Sequence, residues 1–218
     1  MGDPMTGDSS ETCRLLQKAA QGDPEEWGAV LARHRERLRR MVTLRMDQRL
    51  QGRIDPSDVL QEVFLVAHQH LKEYLRKPSL PVFLWLRGIT GNKLLELHRF
   101  HLGTQMRDAG QEVSLYRGSL PETSSAALAA HLLGHDTRPS EAAVRAEIKI
   151  RLQEALNSMD PLDREVLALR HFEQLSTAET AKVLGIREAA AGKRYVRALK
   201  RLKEILTSLP GGMGGLWP

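Results

Sequence analysis

The sequence has 218 residues, enough for one large domain or two small ones, and its 32 Lys+Arg against 27 Asp+Glu make it moderately basic. With 41% hydrophobic and 27% charged residues it has material for a core, which argues against wholesale disorder, and 5% aromatics argues against a β-sandwich. The one cysteine, Cys13, excludes an internal disulfide and a Cys-based zinc site and suits a reducing compartment. No apolar run approaches the ~18 residues of a bilayer span, and the acidic, polar opening MGDPMTGDSSET is unlike a secretory leader. The expectation is a cytoplasmic, helical chain without membrane insertion.

Residues 1–12 read as a flexible tail. From 13 to 50 the apolar residues Trp27, Val30, Leu31, Leu38, Met41, Val42 and Leu44 recur at helical spacing. From Arg33 to Arg49 this stretch is strongly basic: Arg33, Arg35, Arg37, Arg39, Arg40, Arg45 and Arg49 face only Glu36 and Asp47. A solvated helix face is the plain reading of that run. Asp55-Pro56-Ser57-Asp58 is a helix start, with Asp55 as cap, Pro56 in the first helical position and Asp58 in the first turn. The helix continues through Val59, Leu60, Val63, Phe64, Ala67 and Leu71, with Asp58, Gln61 and Glu62 on its polar side. Lys77-Pro78-Ser79-Leu80-Pro81 interrupts it, because two prolines do not fit inside a regular helix. A further helix from about Val82 carries Phe83, Trp85, Leu86, Ile89, Leu94, Leu95 and Leu97, with Arg87, Asn92, Lys93, Glu96, His98 and Arg99 expected to be exposed.

Gly, Ser, Thr, Pro and Ala then dominate, and residues 107–141 read as a linker, with a short helix at Ala126–Leu133 inside it. A second helical block follows. Val144, Ile148, Leu152 and Leu156 are spaced by four, and Asp160-Pro161-Leu162-Asp163 signals a new start ahead of Val166, Leu167 and Leu169. Residues 208–218 read as a second flexible tail. The expected fold is all-α: two small helical domains, 13–106 and 142–207, joined by the linker.

The end of the second block has the shape of a helix-turn-helix. Ser176 caps a short helix with Ala178, Ala181, Val183 and Leu184, and Gly185 sits where a tight turn needs a residue tolerant of positive φ. The following helix has Ala191, Tyr195, Ala198, Leu199 and Leu202 on its inner face and Lys193, Arg194, Arg197, Lys200, Arg201 and Lys203 on the other. Between Thr180 and Leu206, Lys182, Arg187 and these six cations meet only Glu188 and Glu204, so the local excess exceeds the net charge of +5 for the whole chain. A small-residue helix, a glycine turn and a basic second helix suit docking in the major groove of DNA.

Two motifs together resemble the extracytoplasmic-function (ECF) sigma factors of bacterial RNA polymerase. Asp58-Val59-Leu60-Gln61-Glu62-Val63-Phe64, followed by Phe83-Leu84-Trp85-Leu86, Ile89, Asn92 and Arg99, is similar to sigma region 2. Leu162-Asp163-Arg164-Glu165-Val166-Leu167-Ala168-Leu169-Arg170, through Arg197-Ala198-Leu199-Lys200-Arg201-Leu202, is similar to sigma region 4. Gly103–Asp108 with Glu112-Val113-Ser114-Leu115 further resembles a subgroup common in planctomycete-like bacteria. The resemblance covers roughly residues 13–207.

It implies bacterial core RNA polymerase and promoter DNA as partners, with an anti-sigma factor as a further candidate. Asp58, Gln61, Glu62 and Leu65 would dock on the clamp helices of the β′ subunit. Arg76, Lys77, Asn92, Lys93 and Arg99 would capture the melted −10 element, where cations track phosphates and a flipped base needs a pocket. Trp85 lies on the apolar stripe and belongs to the core. Lys193, Arg194, Arg197, Lys200 and Arg201 would meet the −35 element, and region 4 would also contact the β flap. Gly192 departs from the family, where many relatives carry a longer residue, and Glu188 suits the helix dipole but repels DNA. If extended, the linker could span roughly 120 Å, more than the ~70 Å between sites two DNA turns apart.

An enzyme is the contrasting reading. His131 and His135 lie four apart, but the His-Glu-x-x-His pattern is absent, as are a phosphate-cradling glycine loop and a nucleophile elbow. Cys13 has no identified base. No catalytic residue, metal site or cofactor is expected. The closer rival is a stand-alone helix-turn-helix regulator whose N-terminal half senses a ligand or dimerises.

Overall fold

The computed structural model describes residues 10–102, 123–133 and 142–208, and of Ser10, Cys13 and residues 142–145 the backbone only. Among these residues all regular secondary structure is helical. The chain divides into two compact units, Met1–Pro121 and Glu122–Pro218.

In the first unit, α1 (Ser10–Ala20), α2 (Pro24–Arg45), α3 (Pro56–Arg76) and α4 (Val82–Leu102) pack as a bundle. Helix α1 begins inside the stretch read as a tail. Its average composition is polar, but Leu16 and Ala19 share one face and are 2% exposed, and Glu11 pairs with Arg33 of α2 at 2.6 Å. Starts are set by local chemistry. Asp23 accepts hydrogen bonds from the N–H groups of Glu25 and Glu26, with Pro24 in the first helical position. Asp55 does the same for α3 through Ser57 at 2.7 Å. The core comprises Val30, Leu38, Met41 and Val42 of α2, Leu60, Val63 and Ala67 of α3, and Phe83, Leu86 and Leu94 of α4, all at most 2% exposed.

Much of the basic run in α2 is taken up inside this unit. Arg40 pairs with Glu36 at 3.5 Å, and Arg49 beyond the helix pairs with Asp47 at 3.0 Å. The guanidinium of Arg37 lies 3.5 Å from the ring centroid of Phe83, a cation–π contact. Arg45 is buried, while Arg35 and Arg39 remain exposed. The expected solvated face is therefore only partly free.

The second unit contains α5 (Ser125–Leu133), α6 (Ala142–Asn157), α7 (Pro161–Leu167), α8 (Thr177–Leu184) and α9 (Glu188–Ser208). The short helix expected within the linker forms as α5 and packs on α6, with Leu128 and Ala129 fully buried. The Thr123 hydroxyl donates to Glu165 at 2.9 Å. Helix α9 packs on α6, α7 and α8 through Ala191, Ala198, Leu202 and Ile205. A π-helical turn, Ala168–Phe172, follows α7, closed by Glu173 N–H donating to the Ala168 carbonyl five residues back at 2.9 Å. From it the Arg170 guanidinium approaches the Tyr195 ring of α9, 5.1 Å from the centroid. His131 stands edge-on to Phe172 at 5.9 Å. His135, the Cys13 side chain, most of the expected linker and the last ten residues lie outside the described residues.

One titratable group is set by this packing. His34 of α2 packs against Phe83 with ring centroids 5.8 Å apart, and its Nε2 has no hydrogen-bond partner among the described residues. Burial, together with the charges of Arg37 and Arg33, pushes its pKa down to about 4. The unfolded chain, with a histidine near 6.5, binds the proton first. The contribution of neutral His34 to stability is therefore complete above pH 6.5 and declines as pH falls toward 4, by at most about 1.4 kcal/mol per pH unit. Urea midpoints at pH 7 and pH 5 should differ less for His34→Gln than for the native chain. An equal difference would mean that His34 does not titrate in this window.

Candidate docking and nucleic-acid interfaces

The residues singled out from sequence fall on three surfaces. The first is α3. Once Asp55 and Pro56 fix its start, helical periodicity turns Val59, Leu60, Val63, Ala67 and Leu71 inward. Asp58, Gln61, Glu62 and Leu65 are then exposed together. Leu65 is 66% exposed, an apolar side chain of full size beside carboxylates and an amide.

The second surface is the turn after α3 and the outer side of α4. Arg76 and Lys77 end α3 and are exposed. The Tyr74 hydroxyl donates to the Leu80 carbonyl at 2.6 Å, and its ring stacks on Trp85 at 4.3 Å with a 14° tilt. This fastens the proline-containing turn to α4. Trp85 is buried, as its place on the apolar stripe predicts. Asn92 and Arg99 are exposed.

Three other polar residues of α4 differ from expectation. Arg87 is buried at 4%, because the N-terminal part of α4 is covered all round by its neighbours. His98 is half-buried and accepts from the Asp47 N–H at 3.2 Å. The Lys93 side chain is 17% exposed and paired with Glu62 at 2.6 Å and Glu96 at 3.1 Å. The hydrogen bond to Glu62 is the main reason its pKa is raised. A residue expected to touch DNA and one expected to touch polymerase are thus partners of each other. Between α3, the turn and α4 lies an open cleft of ≈ 570 Å³, with Val63, Trp85 and Ile89 among its apolar lining and Lys77, Ser79 and Asn92 among its polar groups.

The third surface is the helix-turn-helix. Ser176 and Glu179 form a reciprocal capping box at 3.1 and 2.7 Å. Gly185 closes α8 at φ +64, the left-handed conformation its position predicts. Lys193, Arg197, Lys200 and Arg201 are exposed and Arg194 is half-buried. Three of these cations are paired within the unit. Asp163 of α7, its side chain 6% exposed, accepts from Arg197 Nε at 2.5 Å and Nη2 at 2.9 Å, and from Arg194 Nη1 at 2.6 Å. The Arg197 contact is the leading cause of a lowered Asp163 pKa and a raised Arg197 pKa. Arg201 pairs with Glu204 at 3.1 Å.

Sequence reasoning took Asp163 as part of a cap signal and of the region 4 resemblance, not as the partner of two arginines. The Asp163 clamp and the Glu62–Lys93 pair join residues 34 and 31 apart in sequence, which no local pattern reports. Val196, an apolar residue off the apolar stripe and 53% exposed, was also passed over.

The family model for sigma-70 region 4 matches residues 149–202, which run from α6 through most of α9. The ECF RNA polymerase sigma factor SigD of Mycobacterium tuberculosis is 29% identical over 94% of this chain and 88% of its own length. The RNA polymerase sigma factor CnrH of Cupriavidus metallidurans is 29% identical over 88% of this chain and 92% of its own. Over most of its length the chain is similar to ECF RNA polymerase sigma factors, and its C-terminal part carries the sigma-70 region 4 match. The chain shares its fold with CnrH in the structure of CnrH in complex with the cytosolic domain of CnrY, at a TM-score of 0.54, 24% identity, 92% of this chain and 100% of that one. The matches to SigD and CnrH run through both units of the chain. The family is non-enzymatic. Among the described residues no His, Cys, Asp and Glu group could hold a metal ion, and no helix is long and apolar enough to cross a membrane.

The Asp163 clamp yields a quantitative expectation. Asp163→Asn keeps the shape but removes the charge, and should lower stability by about 1–3 kcal/mol, the worth of hydrogen bonds to charged groups. The native contribution is complete above about pH 4, where the unfolded carboxyl is ionised, and is lost as pH falls through the lower folded value. A denaturation series from pH 7 to pH 3 checks both. Equal stability of Asp163→Asn and native protein at pH 7 would show that the clamp does not stabilise the fold.

Proposed function

We propose that the first unit is sigma region 2, which docks on core polymerase through α3 and captures the melted −10 element through the turn and α4, and that the helix-turn-helix binds the −35 element. The observation that carries the docking assignment is the exposed face Asp58, Gln61, Glu62 and Leu65 on a helix whose opposite face is fully buried. An exposed leucine ringed by polar groups suits a protein interface, here the clamp helices of the β′ subunit. The cleft beside Lys77, Ser79 and Asn92 supports capture of unstacked bases: it offers apolar walls, an amide and a hydroxyl for base edges, and Arg76 and Arg99 on exposed positions for phosphates. Lys93 acts there once Glu62 is drawn to polymerase.

In the second unit Lys193, Lys200 and the outer edge of Arg197 supply the charge for the −35 duplex, with Arg194 and Arg201 at the margin. The β flap is the polymerase partner of this unit, the part of residues 107–141 that precedes Thr123 is the tether, and an anti-sigma factor is a further partner. Residues 103–115, outside the described residues, carry the likeness to the planctomycete-like subgroup.

The assignment is tested by gel filtration with bacterial core polymerase. Gln61→Ala with Glu62→Lys should lower affinity at least about tenfold, since truncation and charge reversal fall inside the docking face. Stability should change by less than about 1 kcal/mol, because the Glu62 end of the pair is exposed and Lys93 keeps Glu96 as a partner. Undiminished co-elution of a folded double variant would contradict the docking assignment.

A further inference from the structure

The outward stripe of α9 is formed by Ala189, Lys193, Val196, Lys200 and Lys203, which helical geometry places within about 40° of one line and which are all exposed. The buried Ala191, Ala198, Leu202 and Ile205 occupy the opposite side. Arg194 and Arg197 lie to one flank, drawn toward α7 by Asp163. The side chains best placed to meet a groove head-on are therefore Lys193, Val196 and Lys200, and among the described residues neither lysine has an ion-pair partner.

Val196 is the unexpected member. It is 53% exposed at the centre of a basic face, and a β-branched residue there lowers helix propensity without any packing in return. A helical side chain leans over the preceding turn, and four residues before Val196 stands Gly192. Beyond its own helix, a Cβ at Gly192 would meet only Thr177 Cγ2, at 3.7 Å. The glycine is thus not demanded by crowding or by its backbone conformation. It leaves the valine methyls uncovered and makes a shallow apolar notch between two ammonium groups. In the major groove the one apolar feature of a base edge is the 5-methyl of thymine.

We infer that Val196, with Gly192 beneath it, is a specificity-determining residue that seats a thymine 5-methyl group while Lys193 and Lys200 hold the flanking phosphates. This rests on the −35 assignment and adds the base feature that is read.

The test uses the full chain bound to bacterial core polymerase and a duplex library randomised upstream of the start site. In the element selected, each thymidine is replaced singly by deoxyuridine, which removes only the methyl. One such replacement should weaken native binding about fourfold, the worth of one buried methyl. Val196→Ala, at an exposed helical position where alanine is tolerated, should bind thymine and uracil duplexes equally. Gly192→Ala, which the structure accommodates, should also blunt the methyl effect by filling the notch. Indifference of the native holoenzyme at every thymine, or full methyl sensitivity in Val196→Ala, would overturn this inference while leaving the −35 assignment standing. If no upstream element is enriched, or Lys193→Ala with Lys200→Ala leaves binding and its salt dependence unchanged, the −35 assignment fails and the inference with it.

Discussion

The carboxylate of Asp163 ties α9 to α7, and the geometry of the outward basic face of α9 depends on it. One nearly buried oxygen pair accepts from two guanidiniums that would otherwise be flexible. A lone carboxylate at this depth would be costly; two arginines meet that cost and are held to one flank in return. The opposite side of α9 is anchored by aliphatic packing, and α8 is fixed by the capping box and Gly185. The outward stripe is what remains, and its phase follows from these restraints.

The same constraint governs the first unit. A cation paired inside the fold is not free for a phosphate, so net charge overstates an interface. Arg33, Arg40 and Arg49 have carboxylate partners, Arg37 covers the Phe83 ring and Arg45 is buried. The Glu62–Lys93 pair is the instructive case. It bridges α3 and α4 at 2.6 Å, between the face assigned to polymerase and the helix assigned to melted DNA, so a partner that draws on one end alters the other. A surface pair of this kind is worth little to stability, which is why it can exchange partners at small cost.

Much of the fold was legible because its signals are local. Asp55-Pro56, Asp160-Pro161, Ser176 and Gly185 act within one turn, and each stands where its chemistry predicts. Helical stripes placed Leu38, Leu60 and Leu202 in the core. The exposure of Asp58, Gln61, Glu62 and Leu65 on α3 followed from the same phase. Less was legible where several neighbours close round one helix. Arg87 reads as exposed in a periodic pattern, yet α4 is buried on every side at that level. Pairings across tens of residues were invisible, and these decide which of the basic residues at Lys93, Arg194 and Arg197 are available. Helix α1 was hidden by the polar average of its surroundings, although its Leu16 and Ala19 face is regular.

The central claim is that this chain turns core polymerase into a promoter-specific enzyme. The most direct measurement adds the purified chain to sigma-free bacterial core polymerase on bacterial genomic DNA and maps transcript 5′ ends. The account predicts discrete start sites absent with core enzyme alone, sharing two upstream sequence elements. A start-site pattern identical with and without the chain, at concentrations where it is folded, would contradict it.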